Sequence, residues 1–348
     1  MNKIQNIQAL RGVAVLMVVL MHSLHVEQKY GGAQSLLPHF FQFGMAGVDL
    51  FFVISGFVMV TVTRGKFQNP RQSLRFVYHR MARIYPTYWV YSLLLLIVFF
   101  VRPTWINAAG GNQVDILASF LLLPSHILPM VVVGWTLIHE VYFYLVFAGI
   151  LLLVPERKLV YAVLLWGGGV WLLNTYSHST SPWISVISHP LTLEFIGGCL
   201  IAILYFNTAV RIRIAILLLL AAAGATASFV GFQYYQHVTG AVTLSDWWRV
   251  AILGIPALLV VYCLSNAEKN GYVVHSSLVS VGDASYSIYL SHILTLSASG
   301  RIWALFASDS VLDNVIMVPA LYGLVLLVGF LSYRMVEKPL LRLSRRIV

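Results

Sequence analysis

The stretch QALRGVAVLMVVLMHSLH, residues 8–25, has the apolar density of a membrane-spanning helix. It nevertheless carries Arg11 at one end and His22 and His25 at the other. Ionisable side chains at membrane depth cost free energy, so they are rare and usually face an internal cavity. The stretch therefore predicts a transmembrane helix whose polar residues face a site inside the protein.

The composition is typical of a polytopic membrane protein. Of the 348 residues, 59% are hydrophobic and only 10% are charged, whereas a soluble domain carries about 25% charged residues. No linker or soluble appendage interrupts the apolar pattern, so we expect one all-α membrane domain over 1–348. Cys199 and Cys263 lie in apolar runs and are expected to be buried small hydrophobic residues.

Ten apolar spans are predicted, because a helix needs about 20 residues to cross a bilayer. They are 8–25, 46–63, 84–101, 131–153, 158–174, 191–206, 212–232, 249–265, 283–299 and 314–335. The segment 115–128 is too short and is followed by Pro129, so we expect a re-entrant or interfacial piece there. A count of eleven spans is the main alternative.

Ten spans place both termini on one side of the membrane. Most of the 22 lysines and arginines fall on that side, which the positive-inside rule assigns to the cytoplasm. Topology thus explains the net charge of +10 without a nucleic-acid partner. The inner loop 64–83 carries six cations and no acid. It is either a loop that lies on anionic lipid or a docking site for a polyanionic ligand.

Arg11 and His22 are almost three helical turns apart, so they share one helix face with a rise of about 16 Å between them. With the N-terminus inside, Arg11 lies near the cytoplasmic surface and His22 in the outer half of the bilayer. An imidazole titrates near neutrality, which suits His22 to general-base catalysis. The alternative is a core histidine bonded to a neighbouring helix. His25 is nearer the boundary and is explained by an interfacial position alone.

A second ionisable group at membrane depth is Glu140, in VGWTLIHEVYFYLVF, residues 133–147. It lies about 13 Å from the outer end of its span, where it pairs with a cation or an imidazole or stays protonated. Thr136, Glu140 and Tyr144 share one face at i, i+4 spacing, whereas His139 faces elsewhere. HEVYF is not the zinc motif HExxH, and we expect no metal site.

Two more polar positions are candidates of lower rank. In GDASYSIYLSH, residues 282–292, Ser285, Tyr289 and His292 form a polar stripe, with a structural hydrogen-bond seam between helices as the alternative. Asp49, in GVDLFFVISGF, is expected either to have a functional role or to pair locally. Gly56 in the same stretch is expected to allow close helix packing.

Two remaining carboxylates lie near the ends of spans. Glu194, in PLTLEFIGG, is near an outer end. Glu337, in SYRMVEKPL, is expected at the cytoplasmic surface, where Arg334 or Lys338 would form a local ion pair with it.

These features together suit a channel for a long ligand. The basic cytoplasmic face is next to Arg11, and His22 lies on the same face of the helix as Arg11. Glu140 lies on another helix at a depth in the bilayer comparable to that of His22. An acyl-coenzyme A has a matching shape, with phosphates at one end, a thin pantetheine arm and a thioester at the tip. Arginine suits phosphate recognition because its planar fork bonds bidentately.

The sequence resembles the membrane-bound acyltransferase family 3, particularly its exopolysaccharide and lipopolysaccharide O-acetyltransferases. The resemblance covers residues 4–343. It rests on six blocks in order: IQALRGVAVLMVVLMH, FGMAGVDLFFVISGFVM, RMARIYPTYW, VGWTLIHEVYFYLVFA, SYSIYLSH and SYRMVEKPL.

The resemblance implies roles for the residues that match these blocks. The implied catalytic residues are His22 and Glu140, where Glu140 orients His22 or takes part in proton transfer. The implied donor-binding residues are Arg11, Arg80 and Arg83. Asp49, Tyr144 and His292 remain candidates of second rank. Relatives read S-x-E or N-Y-E before the aromatic run, whereas this chain reads Ile-His-Glu at 138–140, which leaves the role of His139 open.

The resemblance also implies a reaction in the bacterial inner membrane. Acetyl-coenzyme A in the cytoplasm would donate an acetyl group to a hydroxyl of an exported or lipid-linked polysaccharide. His22 would act as general base or as a transient acyl acceptor. Expected partners are the acyl donor, the glycan acceptor and membrane lipids, with a second copy of the chain or polysaccharide-synthesis proteins as further candidates.

Two further expectations concern the domain organisation and a rival function. Many relatives carry an esterase-like domain after the last span, whereas this chain is expected to be a stand-alone membrane domain. The rival function is a secondary transporter or flippase for a glycan precursor. Such a protein also holds ionisable groups at mid-membrane, but it often shows inverted repeats, and no matching halves are visible in this sequence.

Overall fold

The chain folds into helices joined by short connections. The computed structural model describes residues 3–32, 35–208, 211–308 and 310–344, and within these ranges it contains no β-strand. The α-helices are α1 (Gln5–Tyr30), α2 (Ala46–Thr63), α3 (Pro70–Val101), α4 (Ile116–Leu121), α5 (Gly134–Leu153), α6 (Leu159–Tyr176), α7 (Pro182–Ile187), α8 (Thr192–Asn207), α9 (Ile214–Thr239), α10 (Asp246–Arg249), α11 (Ile255–Lys269), α12 (Ser276–Asp283), α13 (Ser285–Trp303), α14 (Val311–Ser332) and α15 (Lys338–Ser344). A 3₁₀ turn leads into α2, and π-helical turns join α10 to α11 and α14 to α15.

Nine helical segments in the described part of the chain are long and apolar enough to cross a membrane. They coincide with nine of the ten predicted spans. The tenth, 283–299, coincides with α13, a helix of 19 residues. The serines and the histidine of α13 lower its hydropathy, and most of its first two turns are buried among other helices. The predicted polytopic helical bundle is confirmed.

The segment 115–128 does not cross the membrane. Its helix α4 has six residues, which span about 9 Å against the roughly 30 Å of a bilayer core. Tyr85, Tyr88 and Trp89 of α3 donate hydrogen bonds of 2.8, 2.8 and 2.9 Å to carbonyl oxygens of α4. This agrees with the predicted re-entrant or interfacial segment and not with an eleventh span.

The basic segment 64–83 is mostly helical, whereas the sequence predicted a loop. Helix α3 begins at Pro70, 14 residues before the predicted start of the span at residue 84. The side chain of Asn69 caps the helix by accepting a hydrogen bond from the backbone N–H of Gln72 at 3.2 Å. Proline in the first turn is favourable because it lacks the N–H that would have no partner there. Arg80 and Arg83 therefore lie on a continuous helix with a defined facing.

The centre of the bundle is formed by α1, α2 and α8. In the segment that contains α2, 67% of the most apolar stretch is buried, against 22% for α6 and 22% for α9. The exposed large side chains of α6 and α9 include leucine, tyrosine and tryptophan, as expected for lipid-facing helices. Residues on α1 and α2 are thus inside the protein and available to line a site.

The outer end of α1 is fixed by a buried carboxylate. Glu27 is 1% exposed and accepts hydrogen bonds from the backbone N–H groups of Leu36 and Leu37 at 2.6 and 2.8 Å. It also accepts one from the side-chain amide of Asn314 on α14 at 2.9 Å. These bonds hold the following loop and α14 against the helix that carries His22.

Close backbone contact joins α2 to α8. A Cβ atom on Gly56 would lie 1.9 Å from the carbonyl oxygen of Phe195, and one on Gly198 would lie 2.0 Å from that of Val53. Neither distance is compatible with a side chain. The expectation that Gly56 permits close helix packing is therefore confirmed, with Gly198 as its counterpart on the partner helix.

Replacing Gly198 by alanine should lower the thermal unfolding midpoint of the detergent-solubilised protein. The new Cβ would force the two helices apart, and overpacking of this kind costs about 1–3 kcal/mol. The matched control is Gly168→Ala on α6, where the added Cβ meets no atom within 4 Å. Alanine is the better helix former, so this control should melt at or slightly above the wild-type temperature. Equal midpoints for the two variants would contradict the tight crossing.

Candidate active site

An internal cavity of about 80 Å³ lies between α1, α2, α3, α5 and α13. Its position along each helix follows from the order of the lining residues. The cavity is bounded at one end by Arg11, Arg80 and Arg83, which we call its inner end, and at the other by Phe51, Thr136 and Tyr289, which we call its outer end. Glu140 lines the wall between the two ends. The structure thus brings the three predicted donor-binding arginines and Glu140 to a single cavity.

The inner end of the cavity is strongly basic. Arg80 and Arg83 are three residues apart on α3, so they share a helix face, and Arg11 approaches from α1. The guanidinium of Arg80 lies 5.9 Å from the ring centre of Tyr144, and its buried Nε has no hydrogen-bond partner. A buried donor without an acceptor is costly, so this end of the cavity favours an electron-rich or anionic ligand.

Glu140 is held by hydroxyl groups. Its carboxylate accepts a hydrogen bond of 3.0 Å from Ser55 Oγ on α2 and another from Tyr144 Oη. The predicted shared face of Thr136, Glu140 and Tyr144 is observed, since all three line the cavity. Glu140 also interacts electrostatically with Arg11. The carboxylate therefore lies among the arginines and is bound by neutral hydroxyl donors.

His22 lies outside this cavity, in a pair with His292. Its Nδ1 is 2.9 Å from the carbonyl oxygen of Val18 and 3.3 Å from Nε2 of His292. The ring of Tyr289 at the outer end of the cavity lies 5.6 Å from the ring of His292, centre to centre. Tyr289 thus stands between the cavity and the histidine pair. His22 contacts the rings of His292 and His25, whereas the predicted partner Glu140 is bonded to Ser55 and Tyr144.

The polar stripe on α13 connects that helix to its neighbours. Tyr289 Oη lies 2.9 Å from Thr136 Oγ1 on α5, and His292 reaches His22 on α1. The predicted alternative of a hydrogen-bond seam between helices therefore describes part of the stripe. Ser285 lines the cavity instead, and its buried hydroxyl has no hydrogen-bond partner.

Asp49 forms a local ion pair away from the cavity. Its two carboxylate oxygens accept hydrogen bonds of 2.8 and 3.0 Å from Nε and Nη2 of Arg249. Asp49 is fully buried, and the buried Glu194 interacts electrostatically with both partners. The structure thus contains a pairing for Asp49, with a partner that is 200 residues away in the sequence. One indication of this partner was present in the sequence, because Arg249 is the first residue of the predicted apolar span 249–265.

Removing one member of this ion pair should destabilise the protein strongly. Asp49→Asn leaves the Arg249 guanidinium buried without its counter-charge, a change that costs about 3–5 kcal/mol. We expect a large fall in the thermal unfolding midpoint in detergent. Asp49→Asn combined with Arg249→Gln should lose less than the sum of the two single changes.

The control for that experiment is the exposed ion pair between Lys3 and Asp283. Lys3→Ala should shift the midpoint little, because exposed pairs contribute about 0–1 kcal/mol. A midpoint for Asp49→Asn as close to wild type as that of Lys3→Ala would contradict a stabilising role for the buried pair.

Glu337 corrects a prediction made from the sequence. It is not in a surface ion pair with Arg334 or Lys338. It is 2% exposed and accepts a hydrogen bond of 2.5 Å from Ser287 Oγ on α13. The reason is the π-helical turn Tyr333–Glu337, which inserts an extra residue into the helix and rotates the side chains that follow. The carboxylate interacts electrostatically with Arg11 and is a polar neighbour of the site that sequence reasoning missed.

A second, wider depression of about 300 Å³ adjoins the basic end of the cavity. Its lining includes Lys66, Gln72, Arg75 and Arg80. Arg80 lines both spaces, so the two adjoin at this residue. Among the residues that the structure describes, no group of three or more histidine, cysteine, aspartate or glutamate side chains is arranged to hold a metal ion.

The helical bundle thus contains a cavity lined by Glu140 and three arginines, residues that match the blocks of the sequence resemblance. Residues 4–334 match the acyltransferase domain family Acyl_transf_3, which is nearly the whole chain. The protein belongs to this family and is a membrane acyltransferase.

Two relatives match over most of their length. The exopolysaccharide production protein ExoZ of Rhizobium meliloti (strain 1021) is 30% identical over 92% of this chain and 95% of its own. The acyltransferase MdmB of Streptomyces mycarofaciens is 26% identical over 99% of this chain and 93% of its own. No solved structure matches the chain.

Proposed function

We propose that this acyltransferase moves an acetyl group from cytoplasmic acetyl-coenzyme A to a hydroxyl of an exported or lipid-linked polysaccharide. The observation that carries the proposal is the polar track through the bundle. Three arginines close one end of an internal cavity, and the partly exposed His22 lies beyond the other end. The similarity to a protein named for exopolysaccharide production supports a glycan acceptor.

The donor would bind across both spaces. The wide depression with Lys66 and Arg75 has room for a phosphorylated nucleotide, and arginine and lysine side chains bind phosphate well. The adjoining cavity of about 80 Å³ has room for several water molecules, which suits the thin thioester end and excludes the nucleotide. The unpaired Nε of Arg80 offers a hydrogen bond where the two parts of the donor would meet.

The transfer step needs one base and no external reactant. The acceptor hydroxyl oxygen attacks the thioester carbonyl carbon, its proton passes to Nε2 of His22, and the C–S bond breaks. The thiolate of coenzyme A then takes the proton, so that ester and free thiol are the products. The thioester has to pass Phe51 and Tyr289 to reach His22, and these two side chains must move aside during the cycle.

Glu140 would act on the donor side of the reaction. Its carboxylate lies among the donor-site arginines and is held by Ser55 and Tyr144. In this position it offsets part of the positive charge of Arg11 and Arg80. Proton transfer through Glu140 remains a second proposed role, while His22 depends on other neighbours for its orientation.

The proposed reaction requires a defined orientation in the membrane. Both termini and the basic end of the cavity would face the cytoplasm, where acetyl-coenzyme A is found, in agreement with the distribution of lysine and arginine. His25 is exposed next to His22, which offers the acceptor an approach from the other side. Because both relatives come from bacteria, the bacterial inner membrane is the proposed location.

Replacing His22 by alanine should abolish acetyl transfer and leave a folded protein. The assay uses purified protein, labelled acetyl-coenzyme A and candidate polysaccharides, with size-exclusion chromatography to show that the variant is intact. His25→Ala is the matched control, because its exposed ring lies 6.1 Å from that of His22, and it should retain most activity. Wild-type activity in His22→Ala, or glycan transport without acylation by the wild type, would contradict the proposed mechanism.

Replacing Arg80 by alanine should weaken donor binding more than turnover. A lost hydrogen bond to a charged group costs about 1.5–3 kcal/mol, so KM for acetyl-coenzyme A should rise at least about tenfold. The matched control is Arg71→Ala on the same helix, where the side chain is exposed; its KM should stay within about twofold of wild type. Equal KM values for the two variants would contradict the placement of Arg80 in the donor site.

A further inference from the structure

The geometry around His22 assigns a task to its neighbour His292. The two rings lie 4.8 Å apart, centre to centre, at an angle of 66°. His292 is fully buried, and its Nε2 lies 3.3 Å from His22 Nδ1. Its other nitrogen, Nδ1, lies 2.6 Å from the carbonyl oxygen of Tyr289. His292 is therefore fixed at one end by its own helix and reaches across to α1 with the other.

The position of each proton follows from these contacts. A carbonyl oxygen only accepts hydrogen bonds, so Nδ1 of His292 carries a hydrogen for Tyr289. In the neutral ring Nε2 is then a bare acceptor. The same reasoning applies to His22, whose Nδ1 lies 2.9 Å from the carbonyl oxygen of Val18 and must also carry a hydrogen. That N–H lies between two acceptors, Val18 O and His292 Nε2.

This arrangement determines which nitrogen of His22 acts as the base. With the hydrogen on Nδ1, the lone pair of a neutral His22 is on Nε2, the nitrogen that the proposed mechanism requires. When Nε2 takes up the proton of the acceptor hydroxyl, the positive charge spreads to the Nδ1–H group. A second acceptor from another helix then stabilises the imidazolium and holds its ring plane. In serine hydrolases a buried carboxylate does this for the catalytic histidine.

We propose that His292 is a positioning residue that accepts from the Nδ1–H group of His22 and holds its ring in place, so that His22 Nε2 receives the proton of the acceptor. This inference rests on the proposed function, in which His22 is the base. Val18 belongs to the same helix as His22 and fixes the ring only relative to α1. His292 belongs to α13, which also contributes Tyr289 to the cavity. It therefore fixes the position of the His22 ring relative to the cavity in which the donor would bind.

Two substitutions separate positioning from packing. His292→Gln places an amide oxygen near the position of Nε2 and keeps an acceptor, whereas His292→Leu removes it. We expect kcat for acetyl transfer to fall by at least about 100-fold in His292→Leu, since a small misplacement of a catalytic group can cost about that factor. KM for acetyl-coenzyme A should stay within about twofold, and His292→Gln should keep kcat within about tenfold of wild type.

The matched control is His25→Leu, which removes the other imidazole next to His22. His25 is exposed and contacts His22 edge to face at 6.1 Å, so kcat should change by less than about twofold. In a His22→Ala background, His292→Leu should cause no further loss. Wild-type kcat in a folded His292→Leu protein would overturn the proposal. Equal losses of kcat in His292→Leu and His292→Gln, together with lowered thermal midpoints, would also overturn it. The contact between His22 and His292 would then have a structural role only.

A measurement without turnover distinguishes this inference from the proposed function. Nitrogen chemical shifts of ¹⁵N-histidine-labelled protein report which ring nitrogen carries the hydrogen. The wild type should show His22 with hydrogen on Nδ1, and His292→Leu should keep it there through Val18 but shift the His22 Nδ1 resonance, because one of its two acceptors is lost. An Nε2–H form in the wild type overturns the positioning role even if acetyl transfer is present. If the wild type shows the Nδ1–H form of His22 but no acetyl transfer, the proposed function is contradicted, while the inferred position of the proton is still supported.

Discussion

A charge inside a membrane protein has to be met by other polar groups, and the structure is arranged around that constraint. Arg11 lies two turns inside the first transmembrane helix and lines the basic end of the cavity. It is accommodated because Glu140 on α5 and Glu337 after α14 interact with it. These contacts come from helices far apart in sequence. The basic cavity therefore exists only when α1, α5 and the C-terminal helices are packed together.

The same constraint explains the polar contacts on the outer side of the bundle. Asp49 is matched by Arg249 in a bidentate ion pair, and Glu27 is matched by backbone and amide N–H groups. Since removing one partner of a buried pair is far more costly than removing both, such contacts specify which helices are neighbours. They fix the frame in which Phe51, Thr136 and Tyr289 bound the cavity.

Local periodicity accounts for what the sequence could predict. The apolar spans followed from hydropathy, and the shared face of Thr136, Glu140 and Tyr144 followed from helical spacing. Both properties depend only on neighbouring residues. The acyltransferase family could be predicted from six sequence blocks, and the convergence of Arg11, Arg80 and Arg83 was implied by the resemblance.

Partner choice between distant helices could not be predicted in this way. Asp49 and Arg249 are 200 residues apart, and the contact between His22 and His292 joins helices 270 residues apart. Glu337 was expected at the surface because a regular helix was assumed, while the π-helical turn rotates it inward. The length of α3 was underestimated for a similar reason, since hydropathy marks where the apolar run begins, whereas Asn69 and Pro70 mark where the helix begins.

A single unbroken helix, α1, carries both Arg11 and His22. The separation between the proposed anion-binding end and the proposed proton acceptor is therefore set by the helical rise, with no loop that could adjust it. Adding or deleting one residue between them would turn one side chain about 100° away from the other, so the spacing can change only in near-complete turns. In the proposed mechanism, α1 therefore selects ligands whose charged and reacting ends are separated by that fixed length.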